Sequence, residues 1–230
     1  MINEQQIPFF DLVMCLSSTM DLINPALVNH HKRVAYIASS LGSQMGLSFD
    51  EQNDLVIAGA LHDIGALSLK DKLAALQFEF ADPQTHAEQG YQLLNNFEPL
   101  AKIALLVRYH HVAWNEGAGT DFKGGRVPMG SFILHLADRV AVLIKDGQEI
   151  LSQVKSIREK VREQSGKMFM PQIFEAFVEL SDKEYFWLDA ASQNIDGILR
   201  KKVGLGATQL DMKSLLDLSS LFRRIVSVSV

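Results

Sequence analysis

Cysteine is almost absent from this sequence. Cys15 is the only one in 230 residues, so no disulfide can form within the chain, which fits a reducing compartment. Long apolar runs are missing too. Nothing approaches the roughly 20 residues that a membrane-spanning helix needs. The opening MINEQQIPFF has no basic region followed by an apolar core, so no signal peptide is expected. Positive charge is not in excess. Lys and Arg number 22 against 27 Asp and Glu, for a formal net charge of −5, which gives no electrostatic reason to expect nucleic acid as a partner. Strand-like alternation, internal repeats and low-complexity tracts are also lacking. These absences lead us to expect a cytoplasmic protein with no membrane contact.

The helical period is abundant. DLVMCLSSTMDLI places Leu12, Val13, Leu16, Met20 and Ile23 close to a 3.6-residue repeat, and HKRVAYIASSLGSQMG does the same with Val34, Ile37, Ala38 and Leu41. SFDEQNDLVIAGALHDIG opens with a helix cap at Ser48 and acidic residues in its first turn, then runs apolar to Gly65. DPQTHAEQGYQLLNNF starts after Pro83, and PLAKIALLVRYHH ends at paired histidines. Residues 115–130, NEGAGTDFKGGRVPMG, hold five glycines and form the longest loop signal. SFILHLADRVAVLI is long enough for a buried helix, and ILSQVKSIREKVREQSG and MPQIFEAFVELSD are amphipathic. The fold class expected is an all-α bundle. We divide the chain at 190: residues 1–190 as a metal-binding helical domain, and 191–230 as a linker plus an amphipathic helix. That helix carries Leu215, Leu218, Leu221, Phe222 and Ile225 on one face, which must pack on the bundle, on a second copy in a homodimer, or on another domain.

The stretch GALHDIGAL, residues 59–67, sets His62 and Asp63 side by side among small apolar residues. Burying such a pair is costly unless something satisfies it. A single histidine on an apolar face is usually a hydrogen-bonded core residue, and Trp114 and His135 read as core packing. The argument for chemistry rests on a set: His62-Asp63, His86, His110-His111 and Asp138 fall on four different predicted helices. Inward-facing imidazoles and carboxylates on facing helices are how bundles build metal sites. This donor set suits Fe, Mn, Zn or Ni, and the lack of a nearby cysteine argues against a structural zinc site.

In order, these segments resemble the HD-domain metal-dependent phosphohydrolases, and within them the HD-GYP branch that hydrolyses cyclic di-GMP. HHKRVAYIASSLG is similar to the first ligand helix, ALHDIG to the name-giving motif, and HAEQGYQLL to the third ligand segment. HHVAWNEGAG is similar to the double histidine with its following loop, ILHLADRV to the last-aspartate helix, and SGKMFMPQIFEAFVEL to the segment closing the catalytic core. The resemblance spans roughly residues 20–185. It implies an HD-domain bundle and two divalent transition metals. One would be held by His30, His62, Asp63 and Asp138, and the other by Asp63, His86, His110 and His111. Asp63 would be the bridging, catalytic carboxylate. His31 competes with His30 for the first position; His30 is preferred because it shares a face with Val34, Ile37 and Leu41. The reaction implied is phosphodiester hydrolysis by a metal-bridged hydroxide, with a phosphate-containing small molecule such as a cyclic dinucleotide as substrate.

The chain departs from that family at several points. Ala66 stands where the family has a lysine; losing such a donor to phosphate removes about 1.5–3 kcal/mol, or one to two decades in rate. The Tyr-Pro of the loop is absent from NEGAGTDF. The arginine after the last aspartate is not evident. Ala26 takes the place of an extra acidic ligand, which favours two metals over three. Two readings follow: a phosphodiesterase, or a signalling module that keeps the metal site without turnover. Arg33, Arg108 and Arg139 are expected to be solvated on the bundle surface.

Overall fold

The computed structural model describes residues 8–21, 28–66, 68, 73, 76–78 and 84–203. The amphipathic helix expected near the end of the chain, Ala26, Lys70 and Lys72 lie outside the described residues. Ten α-helices and one small hairpin are described, in the order α1 (Phe9–Asp21), α2 (His30–Gln44), α3 (Phe49–Leu61), α4 (Gln84–Asn95), α5 (Glu98–Arg108), a 3-10 turn (Asn115–Thr120), β1 (Asp121–Phe122), β2 (Gly125–Arg126), α6 (Met129–Leu143), α7 (Ile150–Arg162), α8 (Pro171–Ser181), α9 (Glu184–Ala190) and α10 (Ile195–Lys202). The fold is the expected all-α bundle.

The second helix, α2, is its centre. Every residue from His30 to Gly42 is buried, and a helix apolar or satisfied on all sides belongs in the interior. It packs against α1, α3, α6, α8, α9 and α10. It meets α3 backbone to backbone at Gly59, where an added Cβ would sit 2.6 Å from the Ala35 Cα. That backbone-distance contact is what lets the rings of His30 and His62 come within 5.4 Å.

Local signals fix where the elements begin. Ser48 caps α3 through a reciprocal pair: the Glu51 amide donates to Ser48 Oγ at 3.3 Å, and the Ser48 amide donates to Glu51 Oε2 at 2.9 Å. Pro99 sits in the first turn of α5, where a missing amide proton costs nothing.

The structure differs from expectation in four places. The third helix stops at Leu61, and His62–Gly65 form a turn closed by Ile64 N to Leu61 O and Ala66 N to Asp63 O bonds. Likewise α5 stops at Arg108, so His110 and His111 also lie in a turn. The 115–130 loop contains a two-stranded antiparallel hairpin, pairing Asp121 with Arg126 and Phe122 with Gly125; two-residue strands are too short to show alternation. Finally, α9 and α10 extend the packing to Val203, with Trp187, Ile195 and Leu199 fully buried. The Trp187 indole N–H donates to the Ser181 carbonyl at 2.8 Å. Among the described residues no helix is long and apolar enough to cross a membrane.

Candidate metal centre

Two turns and three helices converge on one buried cluster. α2 contributes His30, α4 His86 and α6 Asp138; the turn after α3 contributes His62 and Asp63, and the turn after α5 His110 and His111. All seven are buried. His30 Nε2 lies 3.4 Å from Asp138 Oδ1, and His62 Nε2 lies 3.7 Å from the same oxygen and 3.3 Å from Asp63 Oδ2. On the other side of Asp63, its Oδ1 is 3.1 Å from His86 Nε2 and 3.6 Å from His110 Nε2. His111 Nε2 is 3.1 Å from His86 Nε2. Asp63 therefore faces two groups of imidazoles with two different oxygens.

Turns rather than helices suit the two paired motifs. A turn lets consecutive residues both point inward, which a helix, rotating each residue by about 100°, does not. The turns also orient the rings. His62 Nδ1–H donates to the Gly59 carbonyl at 2.8 Å, and His110 Nδ1–H donates to the Val107 carbonyl at 2.6 Å. Each bond aims Nε2 into the cluster, the arrangement usual for histidines that hold metal.

The cluster carries a polar debt that a cation would cancel. His30 Nε2, His62 Nε2, His110 Nε2, Asp63 Oδ1 and Asp138 Oδ1 are buried and take no hydrogen bond, a costly state for polar atoms. Ligand atoms of Asp63, His86, His110 and His111 lie within 4.8 Å of one another, as do those of His30, His62 and Asp63 and those of His62, His110 and Asp138. Nitrogen and carboxylate oxygen at this spacing fit a divalent transition metal.

The electrostatics are those of a cluster that draws in positive charge, with a proton on His62 that a bound cation would displace. Burial alone would push the His62 imidazole down, but the Asp63 and Asp138 carboxylates outweigh it and raise its pKa to about 10. Burial opposes ionisation of Asp63, yet His62, His110 and His86 hold it well below the usual carboxylate range. Asp138 is held low in the same way, against burial, by Arg139 and then by His30 and His62. Burial lowers the pKa of His30, His110 and His111, which favours the neutral imidazole, the form that binds metal.

The structure separates His30 from His31. His30 enters the cluster, whereas His31 Nδ1 pairs with the Asp21 carboxylate at the end of α1. Asp21 also accepts from the Asn29 amide at 3.0 Å, tying α1 to the start of α2. His135 packs beside the cluster, its Nδ1 donating to the Val112 carbonyl at 3.2 Å. Trp114 packs edge-on against Phe132. Two arginines are not solvated as expected. Arg139 is 2% exposed; its Nε and Nη2 grip Asp138 Oδ2, and its Nη1 reaches the Gln77 carbonyl in the segment after the His-Asp motif. Its place directly after Asp138 on an apolar helix was the available signal. Arg33 is buried and pairs with Asp146.

Gly65 closes the site from below. An added Cβ would fall 2.1 Å from the His86 carbonyl oxygen and 2.3 Å from the Gly90 amide nitrogen. Gly65→Ala should therefore push α4, and His86 with it, away from Asp63. The expected cost is roughly 1–3 kcal/mol or more, as for other overpacked sites, together with weaker metal retention. Chemical denaturation and metal analysis of the variant check this; wild-type stability would show that α4 yields freely.

Buried imidazoles and carboxylates around one shared Asp, inside a helical bundle, define a metal-centre protein of the HD type. Residues 27–143 match the HD domain family model, and the chain belongs to that family. Its curated relatives are cyclic dinucleotide phosphodiesterases, which sets it near the HD-GYP branch. It is 27% identical over 195 residues to 3'3'-cGAMP-specific phosphodiesterase 1 of Vibrio cholerae, covering 80% of this chain and 44% of that protein. It is 24% identical over 182 residues to a cyclic di-GMP phosphodiesterase of Thermotoga maritima, covering 74% of this chain and 49% of that one. The chain thus spans about half the length or less of these relatives. The crystal structure of a cyclic GMP-AMP-specific phosphodiesterase of Vibrio cholerae superposes with a TM-score of 0.72 at 18% identity, over 96% of this chain and 60% of that one; the fold is shared.

Proposed function

We propose that this chain is the metal-dependent phosphodiesterase part of an HD-type protein, acting on a cyclic dinucleotide. The observation that carries the proposal is the shared Asp63 with ligand sets on both sides of it. One cation would sit among His30, His62, Asp63 and Asp138, and a second among Asp63, His86, His110 and His111. Bound divalent cations supply a nucleophile at neutral pH by acidifying water, and neutralise charge on the phosphate. The protein's own residues set up the rest. Arg139 fixes the Asp138 carboxylate. The Gly59 and Val107 carbonyls fix two imidazoles. An open cleft of about 480 Å3, lined by Asn115, Asp121, Gln164 and Lys167 among others, reaches the cluster at His111. Lys167 brings an ammonium to the rim for a substrate phosphate. A cytoplasmic setting fits the lone cysteine.

One observation favours the second reading, a signalling module without turnover. Ala66 is wholly buried, and its methyl group brings no charge to that point after Asp63. Metal analysis and hydrolysis assays on the same sample decide. About two transition-metal atoms per chain are expected, with hydrolysis of bis(p-nitrophenyl) phosphate and slower hydrolysis of cyclic di-GMP. No metal, and no uptake of Mn, Fe or Zn, would overturn the site. Full metal with neither substrate cleaved would favour the signalling module.

A further inference from the structure

Gln84 and Phe122 line two depressions at once. One is the cleft at His111. The other, of about 410 Å3, is walled by Glu88, Arg108, Tyr109 and Lys123. The two are therefore contiguous, and only one of them opens on the metal ligands. We propose that the second depression is a subsite for a purine base, taking the nucleoside of a cyclic dinucleotide that flanks the phosphodiester at the metal centre. This rests on the phosphodiesterase reading above.

The lining has the chemistry of a base reader rather than of an anion site. Phe122 and Tyr109 meet edge to face with centroids 6.4 Å apart, making an aromatic corner. The Arg108 guanidinium carbon lies over two rings, 4.5 Å from the Tyr91 centroid and 5.5 Å from that of Tyr109. Its Nε and Nη2 donate to Glu88 at 2.7 and 3.2 Å, which pins the plane and leaves Nη1 to donate. The Glu88 carboxylate keeps acceptor capacity of its own. A phosphate would be repelled by Glu88, whereas a purine edge offers an acceptor to Arg108 and a donor to Glu88. Lys123 Nζ lies 5.4 Å over the Phe122 ring at the rim, where the sugar-phosphate link would pass.

The hairpin holds this lining in place. Lys123 and Gly124 both adopt positive φ, 49° and 78°, as the tight two-residue turn between paired strands requires. Phe122 is thereby fixed opposite Gly125. The chain lacks the Tyr-Pro that its resemblance led us to expect, and this hairpin occupies the end of that loop.

The test uses the metal-loaded full chain with cyclic di-GMP and bis(p-nitrophenyl) phosphate as probes. Stacking on an aromatic ring accounts for about tenfold or more in affinity per base. Phe122→Ala should lower kcat/KM on cyclic di-GMP about tenfold relative to kcat/KM on bis(p-nitrophenyl) phosphate, and Phe122→Trp should restore the ratio. An unchanged ratio in Phe122→Ala, with both substrates cleaved, would overturn the subsite and leave the phosphodiesterase reading standing. If the wild type cleaves neither substrate, that reading fails, and calorimetric binding of cyclic di-GMP decides the subsite by itself. Binding about tenfold weaker in Phe122→Ala then supports it; equal binding, or none by the wild type, overturns it.

Discussion

Asp63→Ala is expected to strip the protein of nearly all bound transition metal, from about two atoms per chain to almost none. Its two oxygens face opposite sides: Oδ2 lies 3.3 Å from His62 Nε2, while Oδ1 lies 3.1 Å from His86 Nε2 and 3.6 Å from His110 Nε2. Removing the carboxylate takes a negative ligand from both halves; Asp138 stays beside His30 and His62, while the His86, His110 and His111 side of the cluster loses its carboxylate. His86→Ala should be milder, chiefly weakening one of the two ions. The loss should also appear in stability, because a metal that binds only the folded state adds about 4 kcal/mol at a thousandfold excess over its Kd. Asp63→Ala should abolish the metal-dependent rise in Tm. Asp63→Asn keeps the side chain's shape and removes its charge, so it separates ligand loss from a packing defect. Elemental analysis of all three variants checks the proposal; an Asp63→Asn protein carrying full metal would overturn the bridging role.

Much of the centre was legible because its residue types are expensive to bury. His62-Asp63 in an apolar run, paired histidines closing a helix, and an aspartate in ILHLADRV each demand a partner, and the structure brings all of them to one place. The ends of the helices were less legible. The apolar pattern of 48–65 continues smoothly, and only the arrival of the α4 backbone at Gly65 shows why the helix must already have ended. His30 and His31 both lie on packed faces of a helix buried from His30 to Gly42, so periodicity could not separate them. The deciding partner is Asp21, ten residues upstream on another helix. Arg139 illustrates the same limit. Its burial follows from the Asp138 carboxylate and the Gln77 carbonyl that surround it, and composition carries no record of either contact. The hairpin and the short helices α9 and α10 lack the length for a period to show.

The metal-free protein should lose stability as the pH falls from about 6.5, well before ordinary carboxylates titrate. Burial lowers the pKa of His30, His110 and His111, and lowers that of His135 to about 3, with Arg139 adding to the effect there. In the unfolded chain these imidazoles return to values near 6.5. Below that pH the unfolded state binds protons that the folded state refuses. Each such proton contributes about 1.4 kcal/mol of lost stability per pH unit, until the folded group also titrates. His62 acts in the opposite sense. Its pKa, raised to about 10 between Asp63 and Asp138, gives a stabilisation fully present below 6.5 and lost as pH rises through 10. Asp63 and Asp138, held low, add their own stabilisation, which disappears only as the pH falls below the usual carboxylate range. Four lowered histidines against one raised one put the stability maximum of the metal-free chain near neutrality, with the steeper fall on the acid side. Urea denaturation of chelator-treated protein between pH 8 and pH 4.5 measures this directly, and His135→Asn, which removes one of the four, should flatten the acid limb. A midpoint that stays level or rises between pH 6.5 and pH 4.5 would show that these imidazoles take up protons in the folded state, and that the cluster is open to water rather than closed around its ligands.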